Sequence, residues 1–174
     1  MSRLILKMPY TKGGGHARNN VKYIANRDGV DKSINFNVNA RHRENNIEYI
    51  ATRPRAVRVA NHGLFGNEGT VNLNKVKTEV ANHKGNIWTG IISLRREDAE
   101  HTGYDNPMAW RTLLCSKQME FAKNLRIPIE DFRWCAAFHD EKHHPHVHVV
   151  MYSVNPGREY LTKKGIENMK STLT

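Results

Sequence analysis

The feature that most constrains the fold is a pair of apolar segments joined by a short, polar, histidine-rich link. Residues 132–139 and 146–151 have the aromatic and β-branched content typical of strands, and residues 140–145 are long enough for a hairpin loop. Side chains alternate between the two faces of a strand, so His146 and His148 point the same way. An antiparallel hairpin brings His139 back beside His146. The pattern therefore predicts three imidazoles converging on one edge of an antiparallel sheet.

Three converging imidazoles are a typical ligand set for a divalent metal with coordination positions left open. Packing alone explains them poorly, because a buried neutral imidazole still needs its polar atoms satisfied. Glu141, or alternatively Asp140, is the acid expected to orient a liganding ring. The sequence thus predicts a metal centre with the ligands His139, His146 and His148.

The charge of the chain indicates a polyanionic partner. Lysine and arginine total 27 against 17 acidic residues, which gives a formal net charge of +10. Such an excess is typical of proteins that bind nucleic acid, although charge alone does not separate DNA from RNA or from an anionic membrane. No apolar run approaches the roughly 20 residues of a membrane span. Cys115 and Cys135 form no Cys-x-x-Cys motif, so we expect a cytoplasmic protein with reduced thiols.

Two tyrosines lie in similar predicted helices. The first helix is predicted over residues 17–27, with Tyr23 on its polar face, and the second over residues 44–53, which contains Tyr49. A tyrosine hydroxyl can attack phosphorus and form a covalent phosphotyrosine. Because a free phenol has a pKa near 10, it needs help from a metal, a base or nearby cations. The residue pattern does not choose between the two phenols.

Candidate phosphate contacts lie in the same two regions. Lysine and arginine side chains neutralise phosphates without reading the base sequence. The densest basic stretch follows the second helix, and further cations lie in the first. The candidates are Lys22, Arg27, Arg53, Arg55 and Arg58.

The remaining segments predict a mixture of strands and helices. Residues 4–8 and 87–94 are predicted strands, and residues 73–83 are a predicted helix capped by Asn72. A longer helix begins at Pro107 after Asn106 or Asp105, and an apolar stripe along it faces the core. A last helix starts in residues 161–170. Residues 61–70, with three glycines, are predicted to form a loop, and residues 11–16 a flexible basic turn.

The chain resembles the relaxases of mobilisable and conjugative plasmids and integrative elements, and among them the MobP type. These enzymes belong to the histidine-hydrophobe-histidine group of single-strand endonucleases. The resemblance rests on residues 21–24 in the first helix, 139–141 and 145–148, and it extends over most of the chain. It implies an α+β fold in which helices pack mainly on one face of an antiparallel sheet and the active site lies on the open side. It also implies one relaxase domain over residues 1–174, as a fragment of a longer protein.

The resemblance further implies site- and strand-specific nicking of DNA at a transfer origin for conjugative mobilisation. Tyr23 would be the nucleophile, with Tyr49 as the alternative, and would form a covalent 5′-phosphotyrosyl intermediate. The three histidines would hold Mg²⁺ or Mn²⁺, with Glu141 (or Asp140) as the acid beside them. Expected partners are single-stranded DNA at the origin, other mobilisation proteins and a secretion coupling protein. The expected location is the bacterial cytoplasm, without membrane insertion.

Two other interpretations fit part of the pattern. A rolling-circle replication initiator or transposase of the same superfamily usually carries its nucleophile after the histidine motif, where the tyrosines are Tyr152 and Tyr160. A basic DNA-binding module with a structural metal would bind DNA without cleaving it. Identification of the modified tyrosine distinguishes the initiator or transposase from a relaxase. A cleavage assay distinguishes the non-catalytic module from both.

Overall fold

The structure, a computed structural model, describes residues 4–12, 14–30, 32, 62–157 and 159–174. Within these ranges, seven strands form one antiparallel sheet, in the order β1–β5–β7–β6–β3–β4, with β2 pairing with the other end of β5. The strands are β1 (Ile5–Lys7), β2 (Tyr10–Lys12), β3 (Leu64–Gly66), β4 (Gly69–Thr70), β5 (Asn86–Ser93), β6 (Phe132–His139) and β7 (His146–Ser153).

Five helices accompany the sheet in the described part of the chain, so the α+β class expected from the sequence is confirmed. The helices are α1 (Gly15–Asn26), α2 (Leu73–Asn82), α3 (Arg96–Thr102), α4 (Pro107–Leu125) and α5 (Lys163–Leu173). The caps predicted at Asn72 and Asn106 are confirmed, because each side chain accepts a backbone N–H of the first turn. None of these helices is long and apolar enough to cross a membrane.

The helices lie on both faces of the sheet. The largest, α4, packs with α5 on one face, against buried residues such as Phe138 and Met151. The resemblance predicted helices mainly on one face, and the second face carries the shorter pair α1 and α2, packed against Ala137 and Val150. The apolar stripe of α1 explains why this helix packs on the second face of the sheet, because the residues of the stripe are almost fully buried there. They are Ala17, Val21, Ile24 and Ala25.

The two central strands form the predicted hairpin. β6 and β7 pair in a continuous register from Phe132↔Ser153 to His139↔His146, and β5 lies on the other side of β7. Side chains two residues apart share a face, so His146 and His148 lie on the face that α1 covers. The hairpin therefore delivers three histidines to one end of the central strands.

The loop prediction for residues 61–70 was wrong, because these residues contain β3 and β4. Both strands are too short and too rich in glycine to show the alternation that identifies a strand. They form through backbone pairing: β3 pairs with β6, with Phe65 opposite Ala136, and β4 pairs with β3. Gly66 is required here, because a Cβ atom would lie 2.9 Å from Val71 Cγ1. The basic turn predicted over residues 11–16 likewise contains most of β2, which pairs with β5.

Burial of α1 can be tested at Ile24, which is 1% exposed. Ile24→Ala should lower the free energy of unfolding by about 2–5 kcal/mol, through lost apolar burial and the cavity left behind. Ile129, 41% exposed, is the matched control, and Ile129→Ala should cost less than about 1 kcal/mol. Urea unfolding measures both values, and equal losses would contradict the packing described for α1.

Candidate metal centre and nucleophile

The structure brings the three predicted histidines into one cluster. The ring centroids lie 5.1 Å apart for His139 and His146, 4.6 Å for His139 and His148, and 5.0 Å for His146 and His148. One ring nitrogen from each residue lies within 4.8 Å of the other two. The backbone register explains this, because His139 lies directly opposite His146 and His148 follows on the same face.

The hydrogen bond of His139 fixes which of its nitrogens is free. Its Nε2 lies 2.9 Å from the carbonyl oxygen of Ile24, in the last turn of α1. A carbonyl only accepts, so Nε2 carries the proton and Nδ1 of the neutral ring keeps its lone pair. That Nδ1 atom is buried and has no hydrogen-bond partner in the described part of the chain. A buried polar atom without a partner is costly, and a metal ion would satisfy it.

The other two rings also offer a lone pair. Nδ1 of His146 donates to the carbonyl oxygen of His144 at 3.0 Å, which leaves the lone pair on Nε2. Nε2 of His148 is buried and, among the residues described, has no partner. The donor set that fits a metal is therefore Nδ1 of His139, Nε2 of His146 and Nε2 of His148.

Burial keeps two of these imidazoles neutral. It lowers the pKa of His139 to about 4, although the hydrogen bond to Ile24 opposes the shift. Burial also lowers the pKa of His148 to about 3, and the other two histidines and Arg27 add to the effect. A metal binds the neutral form of histidine, so at neutral pH these rings are already in the form that binds.

The two acidic residues after His139 are held by arginines. Glu141 Oε1 lies 2.5 Å from Arg27 Nη2, and Asp140 Oδ1 lies 2.6 Å from Arg96 Nη2. The predicted acid was expected to orient a histidine ring, but the ring N–H groups of His139 and His146 donate to backbone carbonyls instead. Glu141 still acts on His139 through its charge, which opposes a small part of the lowering that burial imposes on the pKa of that ring.

Tyr23 lies on the exposed side of α1, with 56% of its surface accessible. The guanidinium of Arg27 lies 5.5 Å from the centroid of its ring and pairs with Glu141. These residues line an open depression of about 740 Å³ with Lys22, which is also exposed. An accessible phenol beside a cation suits a large anionic substrate.

Several predicted residues lie outside the part of the chain that the structure describes. They are the alternative nucleophile Tyr49 and the candidate phosphate contacts Arg53, Arg55 and Arg58.

The tyrosines that follow the histidine motif are in poor positions for catalysis. Tyr152 is buried, and its hydroxyl donates to Glu79 at 2.6 Å. Burial, followed by this hydrogen bond, raises the pKa of Tyr152 above its ordinary value, which disfavours the phenolate. Tyr160 is exposed, but its backbone N–H bonds to Leu125 at the end of α4, close in sequence to the start of β6. The histidines lie at the opposite end of that strand.

Sequence reasoning missed two groups that contact the histidines or the loop between them. One is the Ile24 carbonyl, which no side-chain pattern could indicate. The other is Arg96, whose guanidinium contacts the histidine loop. Ser93 pairs with His146, and Arg96 follows it by three residues. Knowledge that β5 lies beside β7 would therefore have placed Arg96 near the histidine loop.

Comparison with known families places the chain among DNA-processing enzymes. The family model described as MobL relaxases matches residues 1–174, the whole chain. The match confirms the relaxase expected from the motifs and does not specify the MobP type. No curated protein and no solved structure matches the chain.

The lowered pKa values of His139 and His148 predict a loss of stability in acid. Both take up protons more readily when unfolded, where the pKa of histidine is about 6.5. Stability present at pH 7 should therefore fall as the pH drops from about 6.5 towards the folded values of about 4 and 3. His148→Gln should flatten this dependence, whereas His143→Gln, on the exposed loop, should not. Urea unfolding in EDTA between pH 7 and pH 4 measures the slopes, and identical slopes in all three proteins would contradict the assignment.

Proposed function

We propose that this chain, which belongs to the MobL relaxases, nicks DNA at a transfer origin by attack of Tyr23 on a backbone phosphate. Membership of that family makes the chain a DNA endonuclease of the transesterase type that binds single-stranded DNA. The observation that carries the finer proposal is the contact of Arg27 with both the Tyr23 ring and Glu141, beside the cluster of three histidines. This arrangement joins a nucleophile, a cation and a set of metal ligands.

The proposed reaction exchanges one phosphodiester for another. Oη of Tyr23 forms a bond to phosphorus while the bond from phosphorus to the 3′ oxygen breaks. The phenol proton is lost to solvent and the departing 3′ oxygen gains one, so the products are a 5′-phosphotyrosyl strand and a free 3′ hydroxyl. The covalent bond conserves the phosphodiester for later rejoining.

Arg27 is suited to help this attack. Its positive charge beside the Tyr23 ring attracts the phosphate group and offsets negative charge that develops during the attack. Its pairing with Glu141 fixes the guanidinium at the edge of the depression. Lys22, exposed on the same helix, extends the basic surface along which a strand can lie.

The three histidines fit a divalent metal through the free lone pairs of Nδ1 of His139 and Nε2 of His146 and His148. When bound there, the ion would polarise a phosphoryl oxygen and neutralise negative charge that develops during attack. Three imidazole nitrogens suit Mn²⁺ better than Mg²⁺, because Mg²⁺ prefers oxygen ligands. We therefore propose Mn²⁺ as the better cofactor. Of the two acids after His139, Glu141 is our candidate for the one that supports the ligand set, because its charge acts on His139 whereas Asp140 pairs with Arg96.

The proposed setting is the transfer of a plasmid or integrative element between bacteria. The substrate would be the single strand at the transfer origin, and other mobilisation proteins and a secretion coupling protein would be partners. A rolling-circle initiator or transposase with a nucleophile after the histidine motif is disfavoured, because Tyr152 is buried and bonded to Glu79.

The nucleophile can be identified by one substitution. Tyr23→Phe should abolish the covalent adduct, since it removes the attacking oxygen and leaves the aromatic ring. The assay incubates the full chain with labelled single-stranded DNA carrying the element's origin and looks for a shifted band that survives denaturation. Tyr10→Phe, at a tyrosine 64% exposed on β2, is the matched control and should retain the adduct.

Mapping of the modified peptide decides between the candidates. An adduct that persists in Tyr23→Phe and disappears in Tyr49→Phe would move the nucleophile to Tyr49. No adduct with any variant or with the wild type would favour the non-catalytic DNA-binding module.

Metal removal should stop cleavage. EDTA should abolish nicking, and Mn²⁺ should restore it at a lower concentration than Mg²⁺. His146→Ala should lower the rate by roughly 100-fold or more, the scale of losing one preorganised electrostatic contact in a transition state. His143→Ala, on the exposed part of the same loop, should leave the rate unchanged. Full nicking in EDTA would contradict the role given to the histidines.

A further inference from the structure

A single arginine binds several of the backbone carbonyls in the link between the two histidine strands. The guanidinium of Arg96, in the first turn of α3, donates to the carbonyl oxygens of Glu141 at 2.5 Å and Lys142 at 3.2 Å. The backbone N–H of Arg96 donates to the carbonyl oxygen of His143 at 3.1 Å. One residue from outside the hairpin therefore binds three successive carbonyls of the link.

The last two carbonyls of the link are also bonded. The N–H of Leu94 donates to the carbonyl oxygen of Pro145 at 3.2 Å. The carbonyl oxygen of His144 accepts from Nδ1 of His146 at 3.0 Å. Every carbonyl from residue 141 to residue 145 thus has a partner, and one of these partners is the ring of a candidate ligand. The course of the link determines which nitrogen of His146 carries the proton and where its lone pair points.

We propose that Arg96 is a positioning residue for the metal centre, which it serves by fixing the backbone that orients His146. The inference rests on the metal role proposed above for the three histidines. Arginine suits this task because its planar fork supplies several donors from one side chain. The substitution Arg96→Lys keeps the charge but loses the fork, so the two properties can be separated.

The carboxylate of Asp140 contributes less, although it pairs with Arg96 at 2.6 Å. Its side chain is 54% exposed, and ion pairs in water are weak. Arg96 therefore acts mainly through the carbonyls of Glu141 and Lys142. The positioning role proposed for Arg96 therefore does not depend on Asp140, the alternative acid expected from the sequence.

Titration calorimetry of Mn²⁺ into the metal-free full chain tests the proposal. Arg96→Ala and Arg96→Lys should each raise the Kd for Mn²⁺ about tenfold or more, the effect typical of losing a group that orients a metal ligand. Asp140→Asn should change the Kd by no more than about threefold, as for a surface ion pair. Arg95→Ala, at the exposed neighbouring arginine, should leave the Kd unchanged.

A second readout follows the ring itself without any metal. Histidine ¹⁵N spectra of the metal-free wild type should show His146 with its proton on Nδ1, and both Arg96 variants should lose this preference. A role in stability alone would lower the melting temperature without changing the protonated nitrogen.

The outcomes are distinct. A folded Arg96→Ala protein with wild-type Mn²⁺ affinity and an unchanged His146 tautomer would overturn the positioning role alone. If Arg96→Ala does not fold, wild-type affinity in Arg96→Lys would overturn it equally. No Mn²⁺ binding by the wild type would overturn the metal centre itself, and this inference with it.

Discussion

The hydrogen bond from His139 to the carbonyl of Ile24 joins the two parts of the molecule on which the chemistry depends. The last turn of a helix leaves its carbonyls without helical partners, and here a buried imidazole satisfies one of them. The same bond places the ring proton on Nε2 and turns the lone pair of Nδ1 towards the neighbouring rings. It also ties α1, which carries Tyr23, to the end of β6. One contact thus sets a tautomer and docks the helix of the candidate nucleophile.

Burial around this contact keeps two histidine rings uncharged, although the chain as a whole is strongly positive. The protein has a formal net charge of +10, yet the pKa values of His139 and His148 are lowered to about 4 and about 3. The rings are therefore neutral where the surface is cationic. Arg27 supplies positive charge at the boundary, between the Tyr23 ring and Glu141. The neutral imidazoles suit a metal ion, and the fixed cation beside them suits a phosphate. This division explains why the basic surface and the histidine cluster coexist.

The sequence predicted what depends on local pattern. The β6–β7 hairpin, the apolar stripe of α1 and the caps at Asn72 and Asn106 follow from periodicity and turn chemistry, and the structure confirms them. The hairpin register even placed His139 opposite His146. Groups supplied by distant segments were beyond prediction, because nothing in residues 94–96 shows that they contact the link at residues 140–145. The strands β3 and β4 were missed for the same reason, since the pairing of β3 with β6 and of β4 with β3 stabilises them and their composition does not.

The most direct test of the metal centre is an anomalous difference map from crystals of the protein grown with Mn²⁺. We expect one peak bounded by Nδ1 of His139 and by Nε2 of His146 and His148, with the bond from His139 Nε2 to the Ile24 carbonyl intact. A peak elsewhere, or an ion bound to Nε2 of His139 with that bond broken, would contradict the arrangement of ligands described for this fold.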